Sequence, residues 1–141
     1  MSNLPAILRS VVAVVAGLLV FFVVVMVVQG AMAQVYPLPA GVDVRDMEAI
    51  GRAVLAMPAG AFGLLLAGYA IGALCGGMVA AASAARAEMR HAIIVGAVTT
   101  LGGVANFVML PHPTWVVLLG LPLFLIMAAI GGRIGVALTR R

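Results

Sequence analysis

Apolar residues run along this chain in four long stretches, not in the short alternations of a soluble fold. The first contains VVAVVAGLLVFFVVVMVV, residues 11–28, without a single polar side chain. A helix that crosses the hydrocarbon core of a bilayer needs about 20 mostly apolar residues. On that criterion the chain predicts spans over about 7–33, 58–84, 91–110 and 114–138. Valine-rich segments favour strands in water. In lipid the backbone finds no solvent partner, and a helix closes its hydrogen bonds within one segment. A membrane barrel would need alternating rather than continuous runs. The expected fold class is therefore an all-α membrane protein with a single domain over 1–141. Four transmembrane helices form an antiparallel bundle of two hairpins, with a short amphipathic outer helix in the connection between the first two spans.

The polar breaks between the spans carry their own pattern. The long outer connection, residues 34–57, places Val44, Met47, Ile50, Gly51, Val54 and Met57 on one side of a helix over about 44–56. Arg45, Glu48 and Arg52 share the opposite side, with Glu48 and Arg52 one turn apart. Asp43 is the expected cap and Pro58 the stop. Such a helix lies along the outer surface as a lid over the bundle mouth, or offers a docking surface. The other outer connection, LPHPTW at 110–115, reads as a turn: Pro111 and Pro113 break the helix, Thr114 is placed to cap the next, and Trp115 suits the interface. Ala31-Met32-Ala33 has the form of a signal-peptidase site. The apolar stretch before it exceeds the 7–15 residues of a signal core, so an uncleaved anchor is expected.

Small residues recur at four-residue spacing. Gly68, Gly72, Gly76, Ala80 and Ala84 line one face of the second span as a glycine zipper, and Gly131 with Gly135 repeats the pattern in the fourth. Such faces let helix backbones approach closely, within one chain or between chains, so a membrane-protein partner or a homo-oligomer through these glycines stands beside internal packing. Residues 70–86 and 125–141 also align without a gap at six of seventeen positions, including Gly76/Gly131, Gly77/Gly132 and Arg86/Arg141. Both hairpins start and finish on the same side, so a repeat here would be parallel, about an axis along the membrane normal.

Composition agrees with lipid as the solvent: 65% of the 141 residues are hydrophobic and 9% charged, against about 25% charged in ordinary soluble domains. The net charge of +4 comes from eight arginines and no lysine. Arg9, Arg86, Arg90, Arg133, Arg140 and Arg141 fall on the side of the termini, whereas Arg45 and Arg52 fall in the long outer loop. The bias places both termini in the cytoplasm, and it is a topological signal, not a basic face for nucleic acid. Cys75 is the sole cysteine, so no disulfide or paired thiolate site exists, and it reads as a small buried hydrophobe.

Few residues look chemical. Gln29, Tyr69 and Asn106 lie toward the outer ends of three spans, with Gln34 nearby and His112 at the turn. They are candidates for a polar pocket open to the outside, or for hydrogen bonds between helices. Arg133 sits about two turns inside the fourth span, suited to snorkelling or to an anionic lipid or anion contact. His91 is expected to face the inner headgroups. Met32, Met57 and Met109 lie near His112, a soft set that would suit Cu(I) but lacks a methionine motif. No carboxylate falls in a span, and His91 and His112 lie on opposite sides of the membrane. Nothing here supports catalysis, a metal centre or a cofactor.

The succession PLPAGVD, then an acidic-basic helix, then LAMPAGAF, GALCGG and GGVANFVMLPHPTW resembles an uncharacterised family of small four-span bacterial integral membrane proteins. The resemblance implies four spans and inner-membrane residence, and it brings no activity. Small multidrug exporters have a similar size but rely on a glutamate in span one, which is missing here. Fluoride channels assemble as antiparallel dimers, against the arginine bias. Two functions remain as expectations: a non-enzymatic accessory or scaffolding subunit of a larger membrane assembly, and a small oligomeric channel or transporter using the outward pocket. Convergence of the polar groups on one cavity would favour the second.

Overall fold

The computed structural model describes residues 5–84 and 86–140. Arg141, with its part in the arginine bias and the repeat, lies outside the described residues. Five helices follow in order: α1 (Ala6–Val35), α2 (Met47–Leu55), α3 (Ala59–Ser83), α4 (Glu88–Met109) and α5 (Thr114–Thr139). Four of them are long and apolar enough to cross a membrane. They pack as a bundle with α2 at one end and both described termini at the other.

The ends of the helices follow local chemistry. α2 starts three residues later than expected because Asp46, not Asp43, caps it: its Oδ1 accepts from the amides of Glu48 (2.9 Å) and Ala49 (3.2 Å). Asp43 instead accepts from the Arg45 amide at 2.9 Å, an Asx turn that holds the chain out of helix up to that point. The exposed Glu48–Arg52 pair forms at 2.6 Å. α4 starts three residues early, because the chain reverses at Ala87 with a left-handed φ of 52°. α5 begins at Thr114, which makes no side-chain cap. Pro113, extended at φ −55° and ψ 139°, delivers the chain into the first turn.

Large apolar side chains are not drawn inward as a class, and small residues fill many of the buried positions. Leu19, Phe22, Met26, Leu101, Leu118 and Ile126 are all more than half exposed, whereas Ala13, Ala73, Ala80, Ala92 and Ala128 are fully buried. In lipid a large apolar side chain gains no hydrophobic free energy by moving inward. Small residues allow backbones to approach, and that close packing holds the helices together.

Where the backbones meet is set by glycine. A Cβ on Gly17 would lie 2.6 Å from the Gly76 carbonyl oxygen, and one on Gly76 would lie 2.7 Å from that of Gly17. Gly68 meets Val28, Gly72 meets Phe21 and Val25, and the buried Ala80 lies beside Gly17. This row is the α1–α3 seam. The other face of α3 carries Gly77, pressed on the Ala128 backbone, while Gly131 and Gly135 press on the Leu74 and Met78 carbonyls. The glycine faces proposed for packing are thus used inside the chain.

These seams set a neighbour order that short connections alone would not. α3 and α5 run parallel, yet they form the most extensive helix pair, while α1 and α5 keep their backbones apart and meet through the Phe21 and Phe124 rings. Around the bundle the order is α1, α3, α5, α4, with α3 also reaching α4. A twofold relation between the hairpins would turn Gly76 and Gly131 toward their own hairpin partners. Gly76 does face α1, but Gly131 faces α3, and Gly132 rather than Gly131 meets α4 at Ala92. The two Gly-Gly pairs are therefore used by α3 and α5 as side-by-side helices, each with one neighbour to either side.

Candidate functional site: a polar cavity beneath α2

At the α2 end the bundle opens. α1 and α4 meet near Gly17 and Val95, where small residues bring them together. Above that level bulkier side chains such as Phe21, Phe22 and Val25 hold them apart. A cavity of about 170 Å³ lies under α2, lined by Gln29, Met32, Val54, Met57, Phe62, Leu65, Tyr69, Asn106 and His112 among others. α2 forms its roof by resting Gly51 on Pro111 of the α4–α5 turn, at 3.0 Å from a Cβ position. The amphipathic segment covers the cavity with the C-terminal part of its apolar side, Val54 and Met57, while Val44 and Met47 stay exposed.

Of the five residues expected at the pocket, Gln29, Tyr69, Asn106 and His112 line this one cavity. Tyr69 is buried among Phe107 and Phe124, its ring 4.9 Å from that of Phe124. Asn106 Nδ2 donates to the Tyr69 hydroxyl at 3.2 Å. That bond leaves the tyrosine proton and the Asn106 carbonyl oxygen available to the cavity. Gln29 makes no side-chain hydrogen bond among the described residues. His112 Nδ1 donates to the Leu110 carbonyl at 2.7 Å, because a carbonyl can only accept, and Nε2 is left free. Edge contacts from Phe62 and Phe107 hold the imidazole in place. The site therefore offers amide, hydroxyl and imidazole groups in an apolar frame, with no carboxylate and no guanidinium in its lining.

Other expectations resolve differently. Gln34 is exposed on α1 and does not line the cavity. His91 is buried at the opposite end and donates to the Ala87 carbonyl at 3.2 Å, in place of facing headgroups. It sits one turn into α4 on the face packed toward the bundle, a placement a hydropathy pattern does not reveal. Met32 and Met57 reach the cavity, but Met109 is 68% exposed on the outside of α4. Arg133 is exposed on α5 and Cys75 is only half-buried. The residue that sequence reasoning missed is Thr99: buried in α4, it back-bonds to the Val95 carbonyl at 2.9 Å and borders a second cavity beside the first.

The Asn106–Tyr69 bond can be weighed directly. Interhelical hydrogen bonds of this kind contribute about 0.6 kcal/mol on average. A double-mutant cycle of Tyr69→Phe and Asn106→Leu, read by unfolding in mixed detergent micelles, is expected to return a coupling of about that size. A coupling above about 2 kcal/mol would make the pair a structural clamp instead of a partly open recognition group.

No family model, no curated protein and no solved structure matches this chain.

Proposed function

We propose that this is a bacterial inner-membrane protein, with both termini cytoplasmic, that binds a small uncharged ligand in an outward-facing pocket as a non-enzymatic permeation or transport protein. The arginine bias supports the orientation, which puts α2 and the cavity on the extracytoplasmic side. One observation carries the functional reading: Gln29, Tyr69, Asn106 and His112, drawn from three helices and a turn, converge on a single cavity. Polar groups with free capacity at membrane depth are costly unless water or a ligand meets them. With no carboxylate or guanidinium in the lining, a neutral ligand suits the site better than an ion, which would find no fixed counter-charge there. The glycine faces Gly17/Gly76 and Gly77/Gly131 pack within the chain, so they give no separate support to an accessory subunit.

Native mass spectrometry on protein extracted gently from its own membranes tests this. A neutral molecule retained in a fixed ratio by the wild type and lost from Asn106→Leu is the expected result. A stoichiometric second polypeptide, with no retained molecule, would overturn it in favour of an accessory subunit.

A further inference from the structure

Beside the roofed cavity lies a second one, about 270 Å³, between α1 and α4. Its lips are Phe22 and Met26 on one helix and Val98 and Gly102 on the other, all exposed. Its floor is Phe21, Tyr69, Thr99, Gly103 and Phe124. Gln29, Tyr69 and Asn106 border both cavities. α1 and α4 are both long and apolar enough to cross a membrane, and a gap between two spanning helices faces hydrocarbon in place of water. The two spaces together offer an apolar slot reached from the side, a polar end where the slot meets the pocket, and a roof beyond.

We infer that the ligand is a neutral amphiphile drawn from the outer leaflet, its hydrocarbon chain lying in the α1–α4 slot and its hydroxyl- or amide-bearing head held by Gln29, Tyr69 and Asn106. This rests on the proposed pocket and names what the pocket takes. The slot's wall chemistry matches a chain: its lining is aromatic, aliphatic or glycine along its length, and Thr99 turns its hydroxyl back on its own helix at the Val95 and Gly96 carbonyls. The polar end matches a head without charge, offering the tyrosine proton, the Asn106 carbonyl and the whole Gln29 amide. A Cβ on Gly102 would meet no atom within 4 Å, so a bulky side chain can be placed at the entrance without disturbing the helix packing. A phospholipid with a charged head fits less well, because its phosphate would have to enter a lining without an arginine or lysine.

The test uses the full chain in phosphatidylcholine nanodiscs and, as probe, a monoacylglycerol with a diazirine in its acyl chain. Saturable crosslinking on peptides 21–29 and 98–106 is expected. Gly102→Phe and, independently, Val98→Trp should lower it by roughly tenfold while the melting temperature in detergent stays near that of wild type. Gly63→Phe is the control, as Gly63 is exposed, meets nothing within 4 Å and borders neither cavity. Unsaturable labelling spread over every lipid-facing helix would overturn side entry. Loss of the natively retained molecule in Asn106→Leu but not in Gly102→Phe would also overturn side entry and leave the pocket standing. Retention in both variants would remove the pocket reading itself.

Discussion

Gly131→Ala is expected to destabilise the folded protein by about 3 kcal/mol, at the upper end of what one extra buried methyl group costs. The added Cβ would fall on the Leu74 carbonyl oxygen, with the Leu74 carbonyl carbon at 2.8 Å and its Cα at 3.0 Å. A side-chain neighbour could rotate away, but a helix backbone cannot, so α3 and α5 must separate along their whole seam. The loss extends to Gly77 and Gly135, which depend on the same closeness. Gly63→Ala is the matched control: nothing lies within 4 Å of its Cβ position, so it should be neutral or stabilise by about 0.5 kcal/mol through reduced backbone entropy. Equilibrium unfolding in mixed micelles compares the two. Equal midpoints would mean that the α3–α5 seam is not the contact that holds the bundle.

Phe124→Ala carries the second large effect. Phe124 is 1% exposed and stands at the centre of the aromatic core, edge-on to Phe21 at 5.9 Å and tilted against Tyr69. In water-soluble cores Phe→Ala costs about 3–5 kcal/mol, combining lost transfer free energy with a cavity term. Here the unfolded reference remains in lipid, so the transfer term largely disappears and packing remains. An expected cost of about 2–3 kcal/mol follows from the cavity term alone. Phe22→Ala, one residue from Phe21 but 57% exposed, should cost under about 0.5 kcal/mol, as surface changes do. If the two variants unfold alike, the core does not lie where α1, α3 and α5 converge.

Several features were legible from local signals alone. The four spans were found within a few residues of their ends, because length and continuous hydropathy are properties of a segment in lipid. The Glu48–Arg52 pair followed from one-turn spacing. The α2 start was misplaced because Asp43 and Asp46 are both good caps; the choice depends on which backbone amides turn toward each carboxylate. The Thr114 cap was misplaced for a related reason, since Pro113 already sets the entry of α5. Glycine spacing identified the close-packing faces but could not say whether they meet within the chain.

Sequence by itself determined a helical protein with four segments able to span a membrane and polar residues toward one end of them, because each of those properties is set by one segment and its solvent. Only the tertiary structure decided that parallel α3 and α5 pack most closely, that Gln29, Tyr69, Asn106 and His112 meet in one cavity, and that this cavity borders a slot between α1 and α4. Those outcomes depend on helix rotation and neighbour choice. Backbone contacts at Gly17, Gly76, Gly77 and Gly131 settle both at once, and no single helix carries that information in its own periodicity.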